Sequence, residues 1–164
     1  MGRWATRLVG LVVVLLAAGF VALGGAGGWM YWNRVELSAE QTTRAELPPR
    51  VLKDIPKVFG YDYQTVERSL TEAYTLLSPD YRREFEDRAT KDIIPQARER
   101  QVVSQISVVG VGVMVAQRDS ASVMVFMNRT VTDKSRQPVY DGSRLRVDYK
   151  KIDGHWLINY ITPI

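Results

Sequence analysis

The chain has 164 residues, 46% of them hydrophobic and 24% charged, with a net charge of +4 and no cysteine. This composition suits a folded domain rather than a disordered one, and without cysteine there is no disulfide, thiolate metal site or cysteine nucleophile. Arg3 and Arg7 account for two of the 22 basic residues, leaving 20 interspersed with 18 acidic ones, a pattern that argues against a nucleic-acid-binding stripe.

Leu8 to Trp32, "LVGLVVVLLAAGFVALGGAGGWMYW", contains no charged side chain over 25 residues. As a helix rising about 1.5 Å per residue it spans roughly 37 Å, more than a hydrocarbon core of about 30 Å. Its backbone groups have no water to bond in such a core, so a helix is the expected form. Arg3 and Arg7 flank one end, which places residues 1–7 in the cytoplasm and the rest outside the membrane. Trp29, Tyr31 and Trp32 fall at the other boundary, where amphipathic rings are favoured. The run exceeds a signal-peptide core of about 7–15 residues, so it reads as a retained anchor.

Residues 33–58 are polar and contain Pro48, Pro49 and Pro56. They read as a stalk or linker with a short helix from Val51 that Pro56 interrupts. "DYQTVERSLTEAYTLL" has Val66, Leu70, Ala73, Tyr74 and Leu77 on one helical face. Ser78 then caps a second helix with Pro79 in its first turn. In that helix Tyr81, Phe85, Ala89 and Ile93 form the apolar stripe, and the charged remainder reads as a solvated face. Pro95 bends or restarts it.

From Val102 the period changes to that of strands. Four segments rich in β-branched and aromatic residues are joined by turn chemistry. Gly110 and Gly112 suggest a bulge in the first. In "SRLRVDYK", Leu145, Val147 and Tyr149 alternate with Arg144, Arg146, Asp148 and Lys150, the mark of a strand with one buried face. Asp153–Gly154 is a two-residue hairpin turn. His155, the sole histidine in the chain, follows it directly and reads as an exposed turn residue rather than a catalytic base.

The expected fold is therefore α+β. An N-terminal transmembrane helix (8–32) and a stalk (33–58) precede an extracytoplasmic domain (59–164), in which helices pack on a curved four-stranded antiparallel sheet to make a cone. The order of "YDYQTV", "LLSPDYRREFE", "PQARERQVV", "VVGVGV", "VFMNRTVT", "DGSRLRV" and "DGHWLINYITPI" behind one anchor resembles that of actinobacterial Mce-associated membrane proteins. The resemblance implies a nuclear transport factor 2-like cone and a non-enzymatic accessory role. In that role the protein supports an Mce-type lipid-import transporter in the cell membrane, with transporter components as partners. No catalytic or cofactor-binding residue is carried over from it, and with one histidine, no cysteine and scattered acids the sequence offers no legible metal site.

Arg144, Arg146 and Lys150 form a candidate docking face. Two other readings stand beside the accessory role. One is an enzyme or small-lipid binder using the cone pocket, for which Tyr74, Asp148, Tyr149 and Tyr160 are the available residue types. Such chemistry needs a desolvated acid or phenol with a positioned partner. The other is a scaffold of a type IV secretion-like assembly, which shares the anchor-plus-cone plan.

Overall fold

The computed structural model describes residues 3–164, with side-chain surroundings from Arg34 onward and at Gly19, Gly24, Gly25 and Trp29. The chain divides into two compact units that meet at Ala39 and Glu40. In the first, Trp29 is 72% exposed. The side chains of Arg3, Arg7, Tyr31 and Trp32, and those of most of the expected anchor 8–32, lie outside what is described. Among the described residues no helix is long and apolar enough to cross a membrane.

The element order is α1 (Arg3–Phe59), β1 (Tyr61–Asp62), α2 (Val66–Tyr74), α3 (Pro79–Arg88), a π-helical turn (Ala89–Ile93), α4 (Ile94–Arg100), β2 (Val103–Ala116), β3 (Ser120–Thr132), β4 (Val139–Ile152) and β5 (His155–Pro163). The sheet is an antiparallel meander in the order β1-β2-β3-β4-β5. It has five strands where the sequence suggests four. β1 pairs only Tyr61 and Asp62 with Ser104 and Val103, and two residues are too few to carry a period-2 pattern. The bulge expected at Gly110 is present, with register shifts at Val108/Gly110, at Val113/Val115 and again between β4 and β5. Bulges add local twist and bend, and the sheet is curled.

The stalk expected over 33–58 is instead continuous helix, and Pro48, Pro49 and Pro56 lie inside it. The reason is which face each proline disturbs. Proline removes the N–H that would bond the carbonyl four residues earlier, so the freed acceptors belong to Arg44, Ala45 and Leu52. All three residues are exposed, where water can bond them. The opposite face is a stripe of Leu47, Val51, Ile55 and Val58, each no more than 2% exposed. Burying four such side chains is worth about 6–12 kcal/mol, the same scale as three interior prolines at about 3 kcal/mol each. The helix also bonds to the sheet: Thr43 Oγ1 donates to the Gln117 carbonyl (2.9 Å), Arg44 to Val113 (3.3 Å) and Arg50 to Trp156 (3.1 Å). It ends at Gly60, whose N–H donates to the Pro56 carbonyl at 2.8 Å. A side chain there would put a Cβ 2.4 Å from that oxygen, so the stop requires glycine.

The remaining helices follow local chemistry. Ser78 caps α3 by accepting from the Tyr81 N–H, with Pro79 in the first turn. Pro95 falls in the first turn of α4, directly after the π-helical turn, and the backbone stays right-handed helical at Arg88, Ala89, Ile93 and Ile94, so the helical run continues past it. The charged face of α3 is solvated, with Arg82–Glu86 and Arg88–Glu84 paired at 2.6 Å. Val123, Val125, Leu145, Val147, Tyr149 and Ile158 from the sheet's inner face complete a core with the stripes of α1, α2 and α3.

Candidate docking face

β3 and β4 pair without a bulge, so their outward residues form regular rows. Arg144 lies opposite Phe126, Arg146 opposite Met124, Asp148 opposite Ser122 and Lys150 opposite Ser120. The three basic residues singled out in the sequence therefore share one face of β4, and all three are exposed. They are not equivalent. Arg146 Nε donates to Ser122 Oγ (3.0 Å) and Asp148 Oδ1 (3.1 Å), while Ser122 Oγ donates to the same carboxylate at 2.6 Å. That triad holds Arg146 to the sheet and cancels much of its charge. Arg144 and Lys150 have no side-chain hydrogen bond or ion pair among the described residues, so their charges remain available.

Next to this basic row runs an apolar one that sequence reasoning misses. Phe126 is 42% exposed and Val115 49%, while Val109 and Met114, at the two bulges of β2, are 61% and 48% exposed. Gly110 and Gly112 lie opposite Phe126 and Met124 on β2. The Phe126 ring occupies the space over Gly110, within 3.4 Å of where a Cβ would sit, whereas the space over Gly112 is open. The signal was present in the sequence. "ASVMVFM" and "VVGVGVMV" are continuous apolar runs, although an antiparallel sheet with helices on one face buries only alternate residues. The surplus must face outward.

The enzyme candidates do not converge. Tyr149 is 1% exposed, and its hydroxyl has no hydrogen-bond partner in the protein. Burial, and then the charge of Asp54, push that hydroxyl far above the usual phenol range. Asp148 belongs to the outer triad. Tyr160 packs against Tyr81 with ring centroids 5.3 Å apart and the rings tilted by 58°. Tyr74 lies edge-on to Phe85 at 6.1 Å, beneath the Arg82 guanidinium. His155 is exposed at the β4–β5 hairpin, where Asp153 and Gly154 adopt φ of 49° and 79° as the turn chemistry requires.

No protein-family model matches the chain. An uncharacterised protein of Mycobacterium tuberculosis is 26% identical over 156 residues, which span 93% of this chain and 71% of that protein. A second protein of the same organism, named an outer membrane protein, is 25% identical over 144 residues, 88% of this chain and 90% of its own length. Solved structures share the fold at lower identity. An IcmL-like type IV secretion system protein of Legionella pneumophila superposes with a TM-score of 0.63 at 11% identity, covering 74% of this chain and 93% of that one. The periplasmic domain of DotI gives 0.62 at 8% identity, covering 73% and 94%. VirB8 of Agrobacterium tumefaciens gives 0.59 at 10% identity, covering 75% and 92%. None of these five carries an Mce-associated description. The domain thus shares its fold with the VirB8, DotI and IcmL-like structures.

Proposed function

We propose that this chain is a non-catalytic assembly component of the cell envelope, working through protein–protein contacts in the manner of a type IV secretion-like scaffold. One observation carries the reading: the helices and curled sheet superpose on more than nine-tenths of the length of three type IV secretion-type structures. The outer-membrane name of one relative adds an envelope setting. In this reading Leu8–Trp32 is the single membrane anchor. Arg3 and Arg7 hold the N-terminus in the cytoplasm, Trp29, Tyr31 and Trp32 mark the outer boundary, and residues 59–164 stand outside the membrane.

The docking surface is the outer sheet face, with Phe126, Met124 and Val115 as its apolar centre and Arg144 and Lys150 as its basic rim. Its partner is a protein surface with an apolar centre and acidic rim, because charge complementarity at the rim selects partners and speeds encounter. An Mce transporter as the larger machine rests on motif order alone, and the same experiment tests it.

That experiment is purification of the tagged full chain from native membranes in mild detergent, followed by mass spectrometry. Envelope-assembly subunits should co-purify with the wild type and be lost from a Phe126→Asp, Arg144→Glu double variant. Mce subunits lost in the same way would transfer the role to a lipid importer. Recovery of the chain alone across several detergents would overturn the assembly reading.

A further inference from the structure

β3 carries its inward residues in one phase: Val123, Val125, Met127, Arg129 and Val131. Four of the five are apolar, and the fourth position is an arginine. The Arg129 Nε is buried and has no hydrogen-bond partner in the protein, and no ion pair reaches its guanidinium among the described residues. Its cross-strand neighbour Asp141 accepts instead from Ser143 Oγ at 3.0 Å. Arg129 as a residue is part-buried, but a buried donor without a partner costs about 1–3 kcal/mol, and a native structure rarely leaves one without a reason.

Arg129 faces a cavity of about 350 Å³ between the inner sheet face and the helices. Val58, Leu70, Phe85, Ile93, Val102 and Val131 supply apolar walls. Three other charged groups line it. Arg88 is paired with Glu84 at 2.6 Å, and Arg100 with Asp133 at 3.1 Å. Asp92 is exposed on the π-helical turn. Hydrogen bonds from Ser135 and then Arg100 hold Asp133 down at about 2, so it stays anionic and keeps Arg100 engaged. The guanidinium left for a guest is that of Arg129.

We propose that this cavity binds a small anionic amphiphile, with its carboxylate on Arg129 and its apolar body against Phe85, Ile93 and Val131. The chemistry of each part follows from the walls. A planar guanidinium with unused donors matches a carboxylate fork-to-fork, and an apolar pocket with one placed charge is the usual design of a small-molecule site. At about 30 Å³ per water-sized unit the volume admits roughly a dozen heavy atoms, the size of a medium-chain carboxylic acid. The site lies on the opposite face of the sheet from the docking surface, so it does not depend on the assembly role.

Decanoate is the test probe, added to the full chain in detergent while thermal unfolding and binding are followed. It should raise the wild-type melting temperature. Arg129→Met should fold at least as well as wild type, because it removes a buried donor that has no partner, and should bind decanoate about 10- to 100-fold more weakly, the loss expected for a charged hydrogen bond. Uncharged decanol should bind the two proteins equally, and inorganic phosphate alone should shift neither. Ile93→Trp, which fills the cavity without touching the charge, should abolish decanoate binding too. Equal decanoate binding by wild type and Arg129→Met would overturn the assignment. So would a phosphate shift matching that of decanoate, which would make the site one for bare anions. If Arg129→Met fails to fold, unimpaired decanoate binding by Ile93→Trp overturns it instead.

Discussion

The two faces of one sheet differ in what their apolar residues accomplish. On the inner face Val123, Val125 and Val147 are fully buried, and Leu145 and Met127 are 4% exposed. These residues are spent on folding. On the outer face Phe126 and Val115 are nearly half exposed, so burial within this chain does not account for them. The same strands, in alternate residues, thus serve the fold on one side and an outside contact on the other. Substitutions that fall on one face should move stability, and those on the other should move association.

The largest effect belongs to the inner side, where helix α1 closes on the sheet. Ile55→Ala should cost about 2–5 kcal/mol, since its side chain is fully buried. Leu52→Ala, three residues earlier and 49% exposed, should cost under about 0.5 kcal/mol. Denaturant titration of the two variants compares the two sides of a helix that contains three prolines. Equal costs would mean that α1 does not seat its stripe on the sheet as described.

Next in size is a gain. The Tyr149 hydroxyl is buried with no partner in the protein, and leaving such a group unsatisfied costs about 1–3 kcal/mol. Tyr149→Phe should therefore raise the melting temperature by a few degrees. A loss of stability would show that the hydroxyl is bonded in solution.

Asp54 refines this in pH. The residue is 7% exposed, and burial raises its pKa above 3.8, with Arg50, Lys57 and Lys53 opposing. A raised folded-state value means that the native state binds the proton more tightly than the unfolded chain does. The corresponding stability is fully present below pH about 3.8 and is lost as pH rises through the folded value. Asp54→Asn should flatten the stability profile over that window and gain up to about 1 kcal/mol at neutral pH. A loss at neutral pH would mean that the ionised carboxylate is a net support to its basic neighbours.

Much of this was legible in the sequence wherever the cause is local. Ser78–Pro79 and Asp153–Gly154 are start and turn signals that act within three or four residues, and both produce the expected geometry. The alternation of Leu145, Val147 and Tyr149 against Arg144, Arg146 and Lys150 is a period-2 property of one strand. The misses have non-local causes. Prolines in α1 are tolerated because their freed carbonyls face water and the other side of the helix is buried, a balance settled by packing. β1 is too short to show a period. The apolar outer row depends on which face of β3 the helices cover, and Arg129 becomes notable only when its phase is counted against Val123, Val125 and Val131.

A small expected change in stability comes from the outer face and bears most directly on function. Phe126→Ser removes a ring that is 42% exposed and rests over Gly110. Some of its area is buried against β2, so the cost in stability should stay near or below about 1 kcal/mol, well under that of Ile55→Ala. Association should respond in the opposite proportion. Aromatic residues at the centre of an interface carry a disproportionate share of binding energy, so partner recovery should fall sharply. Lys150→Ala, on the rim, should lower recovery modestly in low salt and match wild type as salt screens the rim charge. Side-by-side measurement of melting and co-purification for these two variants separates an interface from a merely tolerated apolar surface. If Phe126→Ser leaves partner recovery intact, the outer face is not where the partner sits.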